Sequence, residues 1–258
     1  MKAHSNLAVA IMAAGKGTRM KDASRAKVMY ELDGKPMLHY VIRLAHDMNA
    51  TKVIAIIGYQ RETVEHYVKK HFPEAEFVTQ AHQLGTGHAV MQTESALSGF
   101  SGNVLVLSGD VPLLNHGTID RLIRYHRQTK AVATILTAEL DDPTGYGRII
   151  RNPDHSVKKI VEHRDASPKE LLVQEINSGI YVFEKEELFD GLKHIRPHNV
   201  QNEYYLTDVF EYFWKHHWIV SALKAPHPDE IRGINTVEQL NEARKVLKGT
   251  PLQLDNQR

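Results

Sequence analysis

Short apolar runs alternate with helical patterns through the first half of this chain, and that alternation constrains the fold most strongly. Residues 7–12, 52–57, 76–79, 103–107 and 131–140 read as strands. Between the first two, Met37, Tyr40, Val41, Leu44, Ala45 and Met48 recur at three- and four-residue spacing, one apolar helical face. Such alternation predicts an α/β fold with βαβ units, a mostly parallel, Rossmann-like sheet and right-handed crossovers. Ligands then bind beyond the carboxyl ends of the strands. The second half changes character. Residues 141–147 are turn-rich, and strand-like pieces follow at 148–151, 157–162 and 175–183. They predict a small antiparallel insertion, about 141–205, laid against the parallel sheet. A helix over about 205–217 carries Leu206, Val209, Phe210, Phe213 and Trp214 on one face. A last helix opens at Thr236-Val237-Glu238-Gln239, the spacing of a capping box. The polar tail from Gly249 reads as loose. Residues 1–235 thus form one expected domain, and 236–258 its C-terminal helix and tail.

The first strand runs into Ala13-Ala14-Gly15-Lys16-Gly17-Thr18-Arg19-Met20. Gly15 and Gly17 allow a tight turn and close approach of backbone to a ligand. Amide groups freed in such a loop make an anion-binding concavity, and Arg19 and Lys27 add two positive charges. The loop is suited to a polyphosphate, although a surface turn with incidental charges has the same composition. It is neither a dinucleotide fingerprint, since Met20 stands where the third glycine belongs, nor a Walker A loop, since Gly17 follows Lys16.

Two further segments carry chemistry. Residues 104–107 form an apolar run without alternation, as in a central parallel strand, and end in Ser108-Gly109-Asp110-Val111-Pro112. A carboxylate there suits Mg²⁺, which takes one or two protein oxygens alongside waters and phosphates. A turn aspartate is the competing reading. Gln80, with an amide that can both donate and accept, suits a pyrimidine edge. Gly85 and Thr86 follow it at a helix start, where N–H groups lack partners. An N-cap loop explains them equally.

Composition removes other classes. Lys and Arg total 32 against 31 acidic residues, a net charge of +1, so bulk charge points to neither nucleic acid nor membrane. The absence of cysteine excludes disulfides, thiolate catalysis and cysteine-held metals. It agrees with a cytoplasmic setting, as does the absence of any signal-peptide or membrane-span pattern. Sixteen histidines show no metal-ligand spacing and read mostly as surface residues.

The motifs occur in a set order. Ala13 to Met20, Gly34-Lys35-Pro36-Met37, Gln80 to Ala89 and Gly109-Asp110-Val111-Pro112 come first. Asp141 to Ile149, Ile160-Val161-Glu162-His163, Glu175-Ile176-Asn177 and Glu203-Tyr204-Tyr205-Leu206-Thr207-Asp208 follow. In this order the chain, from about residue 7 to 247, resembles the uridylyltransferase domain of bacterial N-acetylglucosamine-1-phosphate uridylyltransferases. The resemblance implies a glycosyltransferase-A-like nucleotidyltransferase fold. It implies a reaction in which UTP and N-acetylglucosamine 1-phosphate give UDP-N-acetylglucosamine and pyrophosphate, a cell wall precursor step. By the same resemblance Met12, Ala13, Ala14, Gly15, Gln80, Gly85 and Thr86 hold the uridine. Arg19 and Lys27 neutralise phosphates, and Asp110 and Asn235 ligate Mg²⁺. Gly147, Glu162 and Asn177 hold the amino sugar, with Ser108 near the same site. Asn235 directly precedes the Thr236 capping box and carries a hard oxygen ligand; a turn asparagine is its other reading.

The chain departs from the family in three places. Ala26 stands where a proline usually precedes the matched lysine, and the interval from Met20 to Lys27 is one residue longer. Ser108 stands where a tyrosine is common. The β-helix of hexapeptide repeats that follows in the bifunctional enzymes is not part of this sequence. The expectation is therefore a chain without acetyl transfer, monomeric or a small homo-oligomer. Uridylyl transfer to a glucose or galactosamine type of sugar phosphate, or a non-catalytic UDP-sugar sensor, are the alternative readings.

Overall fold

The computed structural model describes residues 6–20 and 24–249. The loose-tail reading beyond Gly249, and most of the lengthened interval before Lys27, lie outside the described residues.

Strand β1 (Leu7–Ala13) is buried along nearly its whole length and sits mid-sheet. It pairs in parallel with β4 (Lys52–Ile57) and β6 (Asn103–Ser108). The hairpin β2 (Glu31–Leu32) and β3 (Lys35–Pro36) lies outside this sheet. Beyond β4 runs β5 (Glu76–Thr79), again parallel. Strands covered on both faces need no alternation, which is why these segments read as continuous apolar runs. Their successive side chains nevertheless divide between two cores. Val9, Ile11, Leu105 and Leu107 face α1 (Met37–Asp47), α2 (Arg61–His71) and α4 (His116–Thr129). Ala8, Ala10, Val104 and Val106 face α3 (Thr86–Met91), α6 (Lys185–Leu192) and α7 (Val209–Lys215).

The other half of the sheet differs from the expectation of an insertion laid against it. Strand β7 (Ala133–Glu139) does not pair with β6. Strand β10 (Glu175–Glu184) lies between them, antiparallel to both, and β11 (Val220–Lys224) closes the edge beside β7. The hairpin β8 (Gly147–Arg151) and β9 (Val157–Val161) joins only the start of β10, with α5 (Pro168–Leu171) in the connection that follows. A register shift between Asn177 and Tyr181 lets β10 leave β8 and join β6. Ser178 covers the irregularity: its hydroxyl donates to Leu136 O at 2.6 Å and accepts from Ile180 N at 3.1 Å. Such bulges bend a strand and re-aim its side chains, here that of Asn177.

The expected 205–217 helix is a 3-10 turn, Leu206–Asp208, followed by α7. The last helix, α8 (Val237–Gly249), packs Leu240 and Ala243 into a third, small core with Met20, Leu32, Met37 and Ile234. No helix among the described residues is long and apolar enough to cross a membrane.

Candidate active site

The carboxyl ends of β1 and β6 lie side by side, with Met12 opposite Ser108. Gly109 N donates to Met12 O at 2.9 Å, joining the two loops that leave these strands. After the buried Ala13 and Ala14 the chain passes through exposed Gly15 into a 3-10 turn, Thr18–Met20. Gly17 has φ +66°, and a Cβ there would lie 2.5 Å from Lys27 Cβ. Only glycine allows the loop to press against Lys27 in this way.

Lys27 is the centre of a polar cluster. Its ammonium donates to Asp110 Oδ2 and, at 2.6 Å, to Asn235 Oδ1. Arg19 Nη2 donates to the same Asn235 oxygen at 2.7 Å. Ser108 Oγ donates to the other Asp110 oxygen, Oδ1, at 2.6 Å. Lys27 and Asp110 side chains are only 14% and 15% exposed, so their charges are poorly screened. Burial alone would push the Asp110 carboxyl up, but Lys27 and the Ser108 hydroxyl hold it below the usual range.

Helix α8 presents Asn235. The capping box forms: Gln239 N donates to Thr236 Oγ1 at 3.2 Å, and Gln239 Oε1 accepts from Thr236 N at 3.2 Å. Gln239 Oε1 also accepts from Asn235 N at 2.7 Å, and Asn235 Nδ2 donates to Gly233 O at 3.1 Å. With its nitrogen occupied, the amide turns Oδ1 toward the two cations. Asp110 O accepts from Ile234 N at 2.9 Å, which ties this loop to the end of β6.

Asp110 Oδ2 and Asn235 Oδ1 are two hard oxygens close enough to share one ammonium. That donor set fits Mg²⁺ completed by waters and phosphate oxygens. Among the described residues no cluster of three or more histidine, aspartate or glutamate side chains is arranged for a metal.

Next to this cluster opens a cavity of about 200 Å³. Ser108, Gly147, Glu162 and Asn177 all line it, together with Met12 and Thr86. Glu162 Oε1 accepts from Thr207 Oγ1 at 3.0 Å, and burial pushes its carboxyl up. Asp208 is pushed up to about 6 by burial and by neighbouring Glu162, Glu211 and Asp165. Asn177 Nδ2 donates to the buried Tyr181 hydroxyl at 2.7 Å. A Cβ on Gly147 would lie 3.3 Å from Glu162 Oε2, so the glycine keeps that wall open.

Gln80 lies at the end of β5, only 3% exposed, beside a second opening of about 320 Å³ toward the loop after β4. Its Nε2 donates to Gly85 O at 2.9 Å and faces His88 Nδ1 at 3.1 Å. Gly85 and Thr86 are committed to a neighbouring segment. Gly85 has φ +111°, and a Cβ there would fall 2.5 Å from Tyr204 O. Thr86 Oγ1 accepts from Leu206 N at 3.0 Å, and Gly87 N donates to Tyr204 O at 2.8 Å.

The structure therefore joins Arg19, Lys27, Ser108, Asp110 and Asn235 in one network and sets Gly147, Glu162 and Asn177 beside it. Gln80 lies at the second opening and is joined through Gly85 to Thr86 on the wall of the first cavity. Sequence reasoning missed Tyr146, Tyr181 and Thr207. Tyr146 lines the cavity, and its hydroxyl accepts from Gly233 N at 3.2 Å. It stood inside the quoted Asp141 to Ile149 motif, in a stretch whose own residues read as a turn. Thr207 lies inside the quoted Glu203 to Asp208 motif, but its contact with Glu162, like the place of Tyr181, could not be read from neighbouring residues.

The nucleotidyl transferase family pattern matches residues 8–226. The chain is 48% identical over 243 residues to the bifunctional protein GlmU of Pelotomaculum thermopropionicum, covering 94% of this chain and 52% of that protein. It is 47% identical over 238 residues to the bifunctional protein GlmU of Streptococcus mutans serotype c, covering 92% and 51%. It thus spans about half the length of the curated relatives it matches. A UDP-glucose pyrophosphorylase complexed with UDP-glucose superposes with a TM-score of 0.76 at 18% identity, over 94% of this chain and 98% of that one. At that identity the likeness concerns the fold.

Proposed function

The chain belongs to the nucleotidyl transferase family, and from that premise we propose that it is a sugar-1-phosphate uridylyltransferase. In this reading UTP and N-acetylglucosamine 1-phosphate give UDP-N-acetylglucosamine and pyrophosphate, in the cytoplasm. The observation that carries it is the Arg19–Lys27–Asp110–Asn235 network standing beside the cavity of Glu162 and Asn177. A phosphate-and-metal cluster next to a cavity lined by hydroxyl, amide and carboxyl groups suits phosphoryl chemistry on a sugar phosphate.

The sugar phosphate oxygen is already anionic and needs no strong base. It attacks the UTP α-phosphorus in line; the new P–O bond forms as the bond to pyrophosphate breaks. Catalysis is positioning and charge neutralisation. Arg19 and Lys27 move from Asn235 and Asp110 onto phosphate oxygens. Asp110 and Asn235 hold Mg²⁺, which when bound neutralises charge developing on the phosphates. Met12 to Gly15, Gln80, Gly85 and Thr86 hold the uridine. Gly147, Glu162 and Asn177 hold the amino sugar, and Ser108 stands near the same site. Residues 1–235 make up the transferase unit, with β8, β9 and the start of β10 as its sugar-side wall.

Pyrophosphate release with UTP, Mg²⁺ and a panel of sugar 1-phosphates tests this. The expected result is chelator-sensitive turnover that prefers UTP to CTP or dTTP. Preference for N-acetylglucosamine 1-phosphate over the glucose compound is expected too, since an analogue that strands buried polar groups is rejected strongly. Equal efficiency on both sugars would overturn the sugar assignment. Chelator-resistant release would overturn the metal pair. Tight binding of UDP-sugar without turnover would show a sensor.

A further inference from the structure

Ser108 stands where two duties compete. It ends β6, faces the cavity shared by Gly147, Glu162 and Asn177, and donates to Asp110 Oδ1 at 2.6 Å. A serine has one proton to give. That proton is spent on Asp110, so toward a sugar the hydroxyl can only accept.

The spent proton has a consequence for Asp110. Carboxylate rotation about its last torsion is soft, with broad minima. Without the Ser108 hydroxyl the carboxylate would keep Lys27 on Oδ2 and a contact from its own backbone N–H, and its plane would be less constrained. The Ser108 bond, short and charge-assisted, pins Oδ1 and so fixes the plane. Oδ2 is then the oxygen left facing Asn235 Oδ1, with the Lys27 ammonium between them.

We propose that Ser108 is a positioning residue: its hydroxyl holds Asp110 so that the single oxygen Oδ2 is presented to the divalent cation. Its place in the cavity wall is then incidental to sugar recognition. The inference rests on the reading of Asp110 and Asn235 as the metal pair.

The test measures Mn²⁺ binding directly by electron paramagnetic resonance, on the 258-residue chain with a non-hydrolysable UTP analogue. Steady-state kinetics with Mg²⁺ accompany it. The variants are Ser108→Ala, Ser108→Thr, Ser108→Cys and Asp110→Asn. Ser108→Ala is expected to weaken Mn²⁺ binding about tenfold or more, the usual consequence of losing a hydrogen bond to a charged group. Its kcat falls in parallel, while KM for the sugar phosphate stays within about twofold, because the effect runs through the carboxylate. Ser108→Thr keeps the hydroxyl and restores both. Ser108→Cys keeps the volume but only a weak donor, and is expected to match the alanine variant; it serves if alanine impairs folding. A raised KM for sugar phosphate with unchanged Mn²⁺ binding would overturn the proposal and make Ser108 a sugar contact. Loss of Mn²⁺ binding in Asp110→Asn but not in the alanine or cysteine variant would overturn the Ser108 role alone. Unchanged Mn²⁺ binding in Asp110→Asn would overturn the metal pair and this inference with it.

Discussion

At the residue scale, Asp110 carries the most weight because each of its oxygens has a separate partner. Lys27 holds Oδ2 and Ser108 holds Oδ1. Asp110→Asn is expected to lower turnover on the order of a hundredfold or more, the usual scale for removing a main charge stabiliser. The fold should survive, since Asn235 still accepts from Lys27. Arg19→Ala should act similarly through the phosphates. Pyrophosphate-release rates beside thermal melts check both; near-normal turnover of a well-folded Asp110→Asn would refute the role. The pairing is robust to pH. The folded-state value of Asp110 is depressed, so its contribution to stability is present above the ordinary 3.8 and is lost only as pH falls below that.

At the element scale, buried polar contacts decide how helices and strands lock together. His126 on α4 reaches across the sheet. Its Nδ1 meets Thr134 Oγ1 of β7 at 2.9 Å, and its Nε2 faces Asn103 Nδ2 of β6 at 3.2 Å. Glu184 Oε1 lies 3.4 Å from the same Nε2, but the Asn103 amide donates to that nitrogen, so the ring is neutral. Burial, with Arg127 nearby, pushes His126 down to about 4. The unfolded chain therefore takes up a proton from about 6.5 downward, while the fold resists until about 4. Stability is expected to fall across that window by on the order of 3 kcal/mol. His126→Gln should flatten this part of a Tm-against-pH profile; an unchanged slope would assign the loss to other groups. Gly85 locks a second pair of elements. Gly85→Ala drives a Cβ toward Tyr204 O in a conformation side chains avoid, so a cost of about 1–3 kcal/mol is expected. It should also raise KM for the sugar phosphate, because the displaced segment carries Thr207 to Glu162. Denaturant melts and kinetics together check this.

At the scale of the whole molecule, the last helix is part of the site's support. Leu240 is 3% exposed, in the small core that contains Met20 and Ile234, the residues adjoining Arg19 and Asn235. Arg244 Nη2 adds a bond to Glu31 O at 2.9 Å. Leu240→Ala is expected to cost roughly 2–3 kcal/mol, the low end for such cavities because this core is small. It should also lower kcat by loosening the Arg19–Asn235 contact. A melt displaced without any change in kcat would separate α8 from the site.

Much of this organisation was legible along the chain, because its causes are local. Apolar runs, helical periodicity, the Thr236 capping box and the glycines of the first loop act over a few residues; the strands and the capping box formed close to where their patterns predicted, while the expected 205–217 helix divided into a 3-10 turn and α7. Asp110 could be singled out as a possible hard ligand from its place just beyond a strand end, whereas Asn235 entered only through the resemblance, its place before a capped helix merely agreeing with that role. Their meeting could not be derived from spacing, since Lys27 stands 83 positions from Asp110 and 208 from Asn235. Only the tertiary structure decided that contact, and the place of β10. A strand with both faces covered has the same apolar character whether it runs parallel or antiparallel to its neighbours. The choice between an inserted and an added strand lay with the bulge between Asn177 and Tyr181, which lets one strand serve β8 first and β6 next. The same bend brings Asn177 to the cavity beside Glu162, a juxtaposition made by the returning chain and absent from any short stretch of it.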